Sequence, residues 1–213
     1  MIKGIIFDMD GVLAQTSEIH RQAFELVLKE NGINDFFDYS QYAGMKTRSA
    51  LMKFFSDIGL KKTDAEVKKI SQEKSNKSQV LMREIDYISN GAFQLLNELK
   101  NEFKISIASS GSPSSVQLFV QKYKLEKIFD VIISSGDVEH AKPHPEIFLK
   151  VVYKLGLKNT DCIVIEDSTS GIKAAQAAQI QVIAIEGTTP KNQLQELFPL
   201  AIIKSLEEIK RYL

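Results

Sequence analysis

Residues 2–11 read Ile2-Lys3-Gly4-Ile5-Ile6-Phe7-Asp8-Met9-Asp10-Gly11, an isoleucine-rich apolar run that ends in two aspartates. A short apolar run closed by turn residues is typical of a strand buried on both faces, as in a parallel sheet. Asp8 and Asp10 follow at the carboxyl end of that strand, where open α/β sheets bind their ligands. This stretch therefore predicts an α/β protein with a polar site at the end of its first strand.

The chain beyond residue 85 alternates between strand-like apolar runs and segments of helical periodicity. Strands are predicted at 103–108, 131–133, 162–165, 182–185 and 201–203. Helices are predicted at about 93–99, 113–123, 145–155 and 169–178, with a further helix at the C-terminus. Such alternation indicates βαβ units around a parallel sheet with flanking helices.

The segment between the first strand and this alternation shows helical spacing only. Apolar residues recur with helical periodicity at about 18–31, 50–58 and 63–85. We therefore expect two domains: an α/β core made of residues 1–15 and 86–213, and an all-helical domain made of residues 16–85.

Composition limits the function classes. Lys and Arg total 27, Asp and Glu total 27, and the net charge is zero, which argues against attraction to nucleic acid or to anionic membranes. The apolar runs fall short of the roughly 18 residues that a membrane helix needs, and the N-terminus carries no signature of a cleaved signal. With Cys162 as the single cysteine, a reducing compartment is favoured. We expect a cytoplasmic, monomeric protein without a nucleic-acid or membrane partner.

Chemically active residues follow several of the predicted strands. They are Asp8 and Asp10 after the first strand, Ser109 after the second, Lys142 after the third, and Glu166 and Asp167 after the fourth. Each alone has a commoner explanation as a turn, a helix cap or a solvated side chain. Together, however, crowded carboxylates require a cation, and oxygen ligands suit Mg²⁺. The pattern indicates magnesium-assisted phosphoryl transfer.

Asp8-Met9-Asp10-Gly11-Val12, followed in order by Ser109, Lys142-Pro143 and Glu166-Asp167-Ser168, resembles the haloacid dehalogenase superfamily. The helical insertion directly after the first motif is similar to the β-phosphoglucomutase-like branch, in which a helical cap domain occupies that place. The resemblance implies a Rossmann-like core sheet and covers essentially the whole chain.

By this resemblance the catalytic residues are Asp8, Asp10, Ser109 and Lys142. Asp8 is the nucleophile that accepts the phosphoryl group, and Asp10 is the general acid and then the general base. Ser109 hydrogen-bonds a phosphoryl oxygen, and Lys142 neutralises charge on the phosphoryl group and on Asp8. The Mg²⁺ cofactor is assigned to Asp8, to the backbone carbonyl of Asp10, and to Asp167 with help from Glu166.

The resemblance also implies substrate-binding residues: Thr16, His20, Arg48, either Lys74 or Lys77, and Ser110. Thr16 corresponds to a hinge threonine, and His20 to a histidine that engages the acid–base aspartate. The residues themselves leave open plainer roles, an N-cap for Thr16, an exposed position for His20 and a solvated face for the lysines. His140 and His144, on either side of Lys142, are interpreted as structural or solvent-facing.

Departures from the branch bear on the substrate. Gln15 stands where the linker commonly has Asp, and Ser112-Pro113 stands where true mutases present Lys-Asn to hold a second phosphate. We therefore expect a phosphatase of a small phosphorylated metabolite, most simply a sugar phosphate, with β-phosphoglucomutase as the alternative. A phospho-receiver domain is disfavoured by the helical insertion and by the acid–base residue Asp10.

Overall fold

The structure, a computed structural model, describes residues 1–42 and 45–213. They form two compact units, an α/β unit of residues 1–15 and 87–213 and a helical unit of residues 16–86. The two ends of the α/β unit at which the helical unit is inserted are hydrogen-bonded to each other. The Gln15 N–H donates to the Tyr87 carbonyl at 2.7 Å, and the Ser89 N–H donates to the Leu13 carbonyl at 2.8 Å.

The α/β unit is organised around a parallel sheet. Its strands among the described residues are β1 Gly4–Phe7, β2 Lys104–Ala108, β3 Val131–Ile133, β4 Cys162–Glu166, β5 Gln181–Ile185 and β6 Ala201–Ile203. They lie in the order β3-β2-β1-β4-β5-β6, and each neighbouring pair is parallel.

The two central strands position the site. Every residue of β1 and β4 is buried, as expected for strands covered on both faces, and Phe7 lies opposite Ile165 in the register. From β1 the chain builds the sheet in one direction through β2 and β3, and it then returns to the other side of β1 with β4. This reversal is a topological switch point, where open α/β sheets form a ligand crevice at the carboxyl ends of their strands.

The helical unit contains α1 Ser17–Glu30, α2 Thr47–Asp57 and α3 Asp64–Glu84, and its described residues include no strand. Its core is aromatic. The Phe37 ring stacks on Phe24 with centroids 4.5 Å apart and meets the edge of Phe54 at 4.9 Å. A capping box between Thr63 and Glu66 begins α3. The unit therefore has a hydrophobic core of its own.

The remaining helices belong to the α/β unit: α4 Ala92–Leu99, α5 Pro113–Lys122, α6 Glu146–Leu155, α7 Thr169–Ala177 and α8 Lys191–Gln195. α6 contacts β1, β2 and β3, and α7 contacts β4 and β5. Pro113 occupies the first turn of α5, and Gly156 ends α6 in the left-handed conformation with φ +66°.

The predicted fold class, a parallel sheet with flanking helices and an inserted helical domain, is confirmed. Several short elements differ from the sequence-based expectation, among them the 3₁₀-helices Tyr39–Gln41, Ser135–Asp137 and Asn159–Asp161, which were not predicted. α8 is not predicted because its five residues are too short for an apolar period, and the C-terminal helix is a 3₁₀-helix, Leu206–Tyr212. Among the described residues, none of the helices combines the length and the apolar character that crossing a membrane requires.

Candidate active site

The carboxyl ends of β1, β2 and β4 bring several charged side chains together in the α/β unit. Asp8 directly follows β1, Glu166 is the last residue of β4, and Asp167 comes next. These three residues are only 6%, 1% and 3% exposed, respectively. Burying carboxylates is costly unless cations or hydrogen-bond donors compensate them. The cluster is therefore of the kind that proteins keep for function rather than for stability.

Lys142 links the carboxylates. Its Nζ donates to Asp8 Oδ1 at 2.6 Å, to Glu166 Oε1 at 2.7 Å and to the Ala108 carbonyl at 2.9 Å. Three acceptors match the three N–H groups of an ammonium. Burial alone would lower the pKa of Lys142, but the Asp8 and Glu166 carboxylates raise it above its ordinary value. Lys142 therefore stays charged beside Asp8, as the resemblance implies.

The surroundings of the Asp8 carboxyl disfavour its ionised form. Burial raises its pKa well above the ordinary value, and the Lys142 ammonium opposes that rise. The carboxylates of Glu166, Asp10 and Asp167 raise the pKa further. Ionisation of Asp8 therefore calls for more positive charge than Lys142 supplies.

Glu166 has both carboxylate oxygens engaged. Oε1 accepts from Lys142, while Oε2 accepts from the backbone N–H groups of Asp167 and Ser168, each at 2.8 Å, and from the Ser168 hydroxyl at 2.9 Å. A Cβ at Gly171, in the first turn of α7, would collide with this carboxylate. Glu166 therefore stays a predicted metal ligand, and in this structure it also holds Lys142 and the start of α7.

Asp167 has the opposite character. Its Oδ2 is buried and has no hydrogen-bond partner among the described residues. Burial, first, and the neighbouring Glu166 charge raise the pKa of Asp167 to about 7, although the nearby Thr188 opposes that rise. An unpaired buried carboxylate oxygen is expensive, and a bound cation is the usual reason for one.

Gly11 makes room for that oxygen. Its φ of +82° lies in the left-handed region, and a Cβ there would collide with Asp167 Oδ2. The turn that contains Gly11 is closed by hydrogen bonds from the Gly11 N–H to the Ala14 carbonyl and from the Ala14 N–H to the Met9 carbonyl. Glycine is thus required twice at this position, for its conformation and for the close approach.

Asp10 and Ser109 are also brought together. The Ser109 hydroxyl donates to Asp10 Oδ2 at 3.4 Å and accepts from the Gly111 N–H at 2.9 Å. Ser109 is fully buried, whereas Asp10 is half-buried and so is accessible to solvent. Ser110, the next residue, is exposed on the same loop. A half-buried carboxylate beside the loop that follows β2 fits a group that exchanges protons with substrate and water.

The residues present fit a magnesium ion. The donor set of Asp8, Asp10 and Asp167 offers oxygen atoms only, which is the preference of hard cations. Asp167 provides the unpaired oxygen, and the carboxylates at this edge outnumber the Lys142 ammonium. Asp8, the Asp10 backbone carbonyl and Asp167 would hold the ion, with Glu166 behind them positioning Lys142.

In the helical unit, His20 and Lys74 form a pair. Lys74 Nζ lies 3.1 Å from His20 Nδ1 and 4.5 Å from the centroid of the Phe24 ring, and Lys74 is only 4% exposed. The Ser78 hydroxyl lies 3.4 Å from the same ring nitrogen. Because an ammonium can only donate, Nδ1 accepts, and the His20 proton is assigned to Nε2. Burial, and then the Lys74 charge, lower the pKa of His20 to about 3.

The other predicted substrate contacts differ from Lys74. The Lys77 ammonium pairs with Glu30 at 2.6 Å, and Arg48 forms an ion pair with Asp64. Thr16 takes the N-cap position of α1 and is buried, and its side chain makes no capping hydrogen bond. Lys74 is thus distinguished by burial and by its histidine partner, while Lys77 and Arg48 engage acidic residues of their own unit.

Thr188 is a site residue that sequence reasoning missed. It lies beside the Asp167 carboxylate on the loop after β5 and lowers the pKa of that carboxyl. The signal available in the sequence is its place three residues beyond a strand end, which is too common a position to identify a role.

Comparisons with known proteins give the following relatives. Protein SUPPRESSOR OF QUENCHING 1, chloroplastic, of Arabidopsis thaliana is 30% identical over 204 residues, covering 94% of this chain, which spans only 19% of that protein. A phosphorylated carbohydrates phosphatase of Thermotoga maritima is 29% identical over 211 residues, covering 97% of this chain and 96% of that protein.

A solved structure is also similar to this chain over almost its whole length. A β-phosphoglucomutase from Clostridium difficile superposes with a TM-score of 0.82 at 26% identity, covering 99% of this chain and 96% of that one. The family model of the haloacid dehalogenase-like hydrolases matches residues 5–185. The chain is therefore an enzyme that belongs to the haloacid dehalogenase-like hydrolases, in their β-phosphoglucomutase-like branch.

Proposed function

We propose that this chain is a magnesium-dependent phosphatase of small phosphorylated metabolites, sugar phosphates above all, and that it acts through an aspartyl phosphate on Asp8. The observation that carries the proposal is the buried network in which Lys142 bridges Asp8 and Glu166 beside the unpaired Oδ2 of Asp167. It combines a carboxylate placed to attack phosphorus, a cation beside that carboxylate, and a buried carboxylate oxygen that could bind a hard ion.

In the first half of the proposed reaction, an Asp8 oxygen forms a bond to phosphorus as the bond to the leaving oxygen breaks. Asp10 gives its proton to that leaving oxygen, so the sugar departs as an alcohol. In the second half, Asp10 takes a proton from water, the water oxygen bonds to phosphorus, and the bond to Asp8 breaks to release inorganic phosphate. Covalent catalysis thus divides one displacement into two easier ones.

Lys142 and the loop after β2 hold the transferring group in place. The Lys142 ammonium neutralises charge on Asp8 and on the phosphoryl oxygens, and the Ser109 hydroxyl, with Ser110 beside it, donates to those oxygens. Bound Mg²⁺ supplies charge neutralisation for the phosphoryl group and the nucleophile. Glu166 acts through Lys142 and is a positioning residue.

The helical unit is proposed to recognise the remainder of the substrate. His20 with its Nε2 proton is a hydrogen-bond donor. Lys74 is a buried cation that contacts His20 and lies over the Phe24 ring. Arg48, Lys77 and Thr16 are further candidates, although the ion pairs of Arg48 and Lys77 must open before either cation can bind a substrate.

A β-phosphoglucomutase is the second candidate, because a solved β-phosphoglucomutase matches the fold end to end. A mutase has to hold a second phosphate so that a sugar hydroxyl attacks instead of water. The loop after Ser109 offers Ser112, whose hydroxyl accepts from the Ser115 N–H at 3.2 Å and thereby caps α5, followed by the uncharged Pro113. Because neither residue offers a charge for a second phosphate, this loop favours the phosphatase.

The test is a phosphate-release screen over sugar phosphates with Mg²⁺, run beside a coupled assay for glucose 6-phosphate from β-glucose 1-phosphate. We expect release from at least one sugar monophosphate, complete loss of release with a chelator, and little glucose 6-phosphate. Glucose 6-phosphate as the main product, or release that survives chelation, contradicts the proposal.

A further inference from the structure

We propose a second metal site, for a borderline divalent cation of the zinc class, formed by His140, His144 and Glu146 on the segment that carries Lys142. One ring nitrogen of each histidine and one carboxylate oxygen of Glu146 all lie within 4.8 Å of one another. Both histidines are exposed, and their ring centroids are 4.5 Å apart. The site is separate from the magnesium donors, because it uses none of the aspartates at the strand ends.

The carboxylate is built into this segment. Glu146 is the first residue of α6, and its Oε1 accepts from the Glu139 N–H at 3.0 Å. Its Oε2 accepts from the His140 N–H at 2.9 Å and lies 3.1 Å from His140 Nδ1. The hydrogen bond from Lys150, followed by those backbone donors, keeps the pKa of Glu146 below its ordinary value. An ionised anchor therefore stands beside the histidines.

The donor types select the cation. Two imidazoles and a carboxylate, with a water in the fourth position, are typical of Zn²⁺ and of Co²⁺ in its place, whereas Mg²⁺ prefers oxygen ligands throughout. His140 Nδ1 lies 3.1 Å from Glu146 Oε2, and an ion bound by both atoms would replace the hydrogen bond that now joins them. His144 Nδ1, which accepts from the Glu146 N–H at 3.3 Å, would likewise exchange that hydrogen bond for the ion.

The required movement is small. Tetrahedral zinc with bonds of about 2.0–2.1 Å places its ligand atoms about 3.3 Å apart, so the widest separation must close by about 1.5 Å. Exposed histidines make such a change by rotating their side chains. The neighbouring Lys150 ammonium, which pairs with Glu146 at 2.9 Å, remains free to turn to solvent because half of its surface is already accessible.

An ion bound at this site would cross-link the two sides of the segment that carries Lys142. His140 precedes Lys142 by two residues and His144 follows it by two, so a shared ion closes a loop around the residue that holds Asp8 and Glu166. Metal binding at this site should therefore restrain the backbone from Glu139 to Glu146.

The experiment titrates Co²⁺ into the full chain with Mg²⁺ in large excess, follows the visible absorption of tetrahedral Co²⁺, and then displaces it with Zn²⁺. We expect one equivalent of signal in the wild type. His140→Ala and His144→Gln should each weaken binding at least about tenfold, the lower limit seen even for outer-shell partners of a metal. Zn²⁺ should slow amide hydrogen exchange over 139–146 in the wild type only.

Two controls separate this site from the magnesium site. Glu139→Gln removes a neighbouring exposed carboxylate of the same segment and should leave Co²⁺ binding unchanged, and Asp167→Asn should leave the Co²⁺ spectrum intact. Wild-type affinity in the histidine variants, absence of a tetrahedral spectrum in the wild type, or loss of that spectrum in Asp167→Asn overturns the proposal. None of these readouts depends on phosphatase activity.

Discussion

Asp8 is the residue on which the proposed chemistry depends, since Lys142 holds its Oδ1 at 2.6 Å. Asp8→Asn keeps the side-chain volume but replaces the nucleophilic carboxylate with an amide. We expect phosphate release to fall by at least about a thousandfold, within the span of losses known for single catalytic groups. Steady-state rates with a far-UV spectrum of the folded variant measure this. A folded variant with more activity than that would assign the nucleophile elsewhere.

Gly11 gives a prediction with a built-in control. Gly11→Ala and Gly156→Ala both place a side chain at positive φ, which costs roughly 1–2 kcal/mol of stability. Only the Gly11 variant also meets Asp167 Oδ2, because a Cβ at Gly156 finds open space. We expect Gly11→Ala to lose more unfolding free energy than Gly156→Ala because of this clash, and we expect a raised Mg²⁺ requirement in Gly11→Ala alone. Equal Mg²⁺ titrations would show that Gly11 does not serve the aspartate.

The lowered pKa of His20 predicts that the folded protein loses stability in acid. Its folded pKa is about 3 and its unfolded value is near 6.5, so below pH 6.5 the unfolded chain takes up a proton that the native chain excludes. Stability from this group is therefore complete above pH 6.5 and declines by about 1.4 kcal/mol per pH unit below it.

The measurement is the free energy of unfolding at pH 7.5 and pH 5.5, for the wild type and for His20→Gln. The wild type should lose about 1.4 kcal/mol more than the variant between these pH values. Equal losses would mean that His20 is not held neutral by burial and Lys74.

At the scale of elements, the two neighbouring carboxylates at the end of β4, Glu166 and Asp167, have different surroundings and should respond differently to substitution. Asp167→Asn should raise the Mg²⁺ concentration for half-maximal activity at least about tenfold. Glu166→Gln should instead lower kcat with a smaller change in the Mg²⁺ requirement, because it weakens the hold on Lys142. Mg²⁺ titrations of the two variants test the distinction, and the reverse pattern would make Glu166 the stronger metal ligand of the two.

Elements were predictable wherever a local pattern is complete. The apolar runs of β1 and β4 and the periodicity of α1 and α3 are long enough to identify strands and helices from sequence. α8 was missed because only Leu194 is buried in its five residues. The contacts of Glu166 were not predictable because side-chain direction after a strand depends on the turn, and here the start of α7 holds its carboxylate.

At the scale of the whole molecule, the residues that chemistry requires are far apart in the chain and converge through topology. Asp8 and Lys142 are 134 residues apart, and the parallel sheet order is what joins them. Their convergence was predictable because strand ends share one edge. The hydrogen-bond pairing of these residues was not predictable, because the unpaired Oδ2 of Asp167 and the approach of Thr188 depend on loop conformations that no sequence period encodes.

The last prediction concerns the fate of the phosphorylated enzyme as a whole. In the proposed mechanism, water and a sugar hydroxyl compete for the phosphoryl group on Asp8, and a mutase favours the sugar by binding its second phosphate. Ser112 is committed to capping α5, and Pro113 carries no charge, so this loop lacks a charge-assisted contact. Such a contact is worth about 1.5–3 kcal/mol, or about ten- to a hundredfold in affinity.

We therefore expect hydrolysis to prevail when Asp8 is phosphorylated with a small phosphodonor and β-glucose 1-phosphate is then added. Inorganic phosphate should exceed glucose 6-phosphate in the quenched mixture at every sugar concentration up to saturation. Asp8→Asn, which cannot be phosphorylated at this position, supplies the background for both products. Glucose 6-phosphate in large excess over phosphate would show that the cations of the helical unit hold a second phosphate unaided, and the enzyme would then be a mutase.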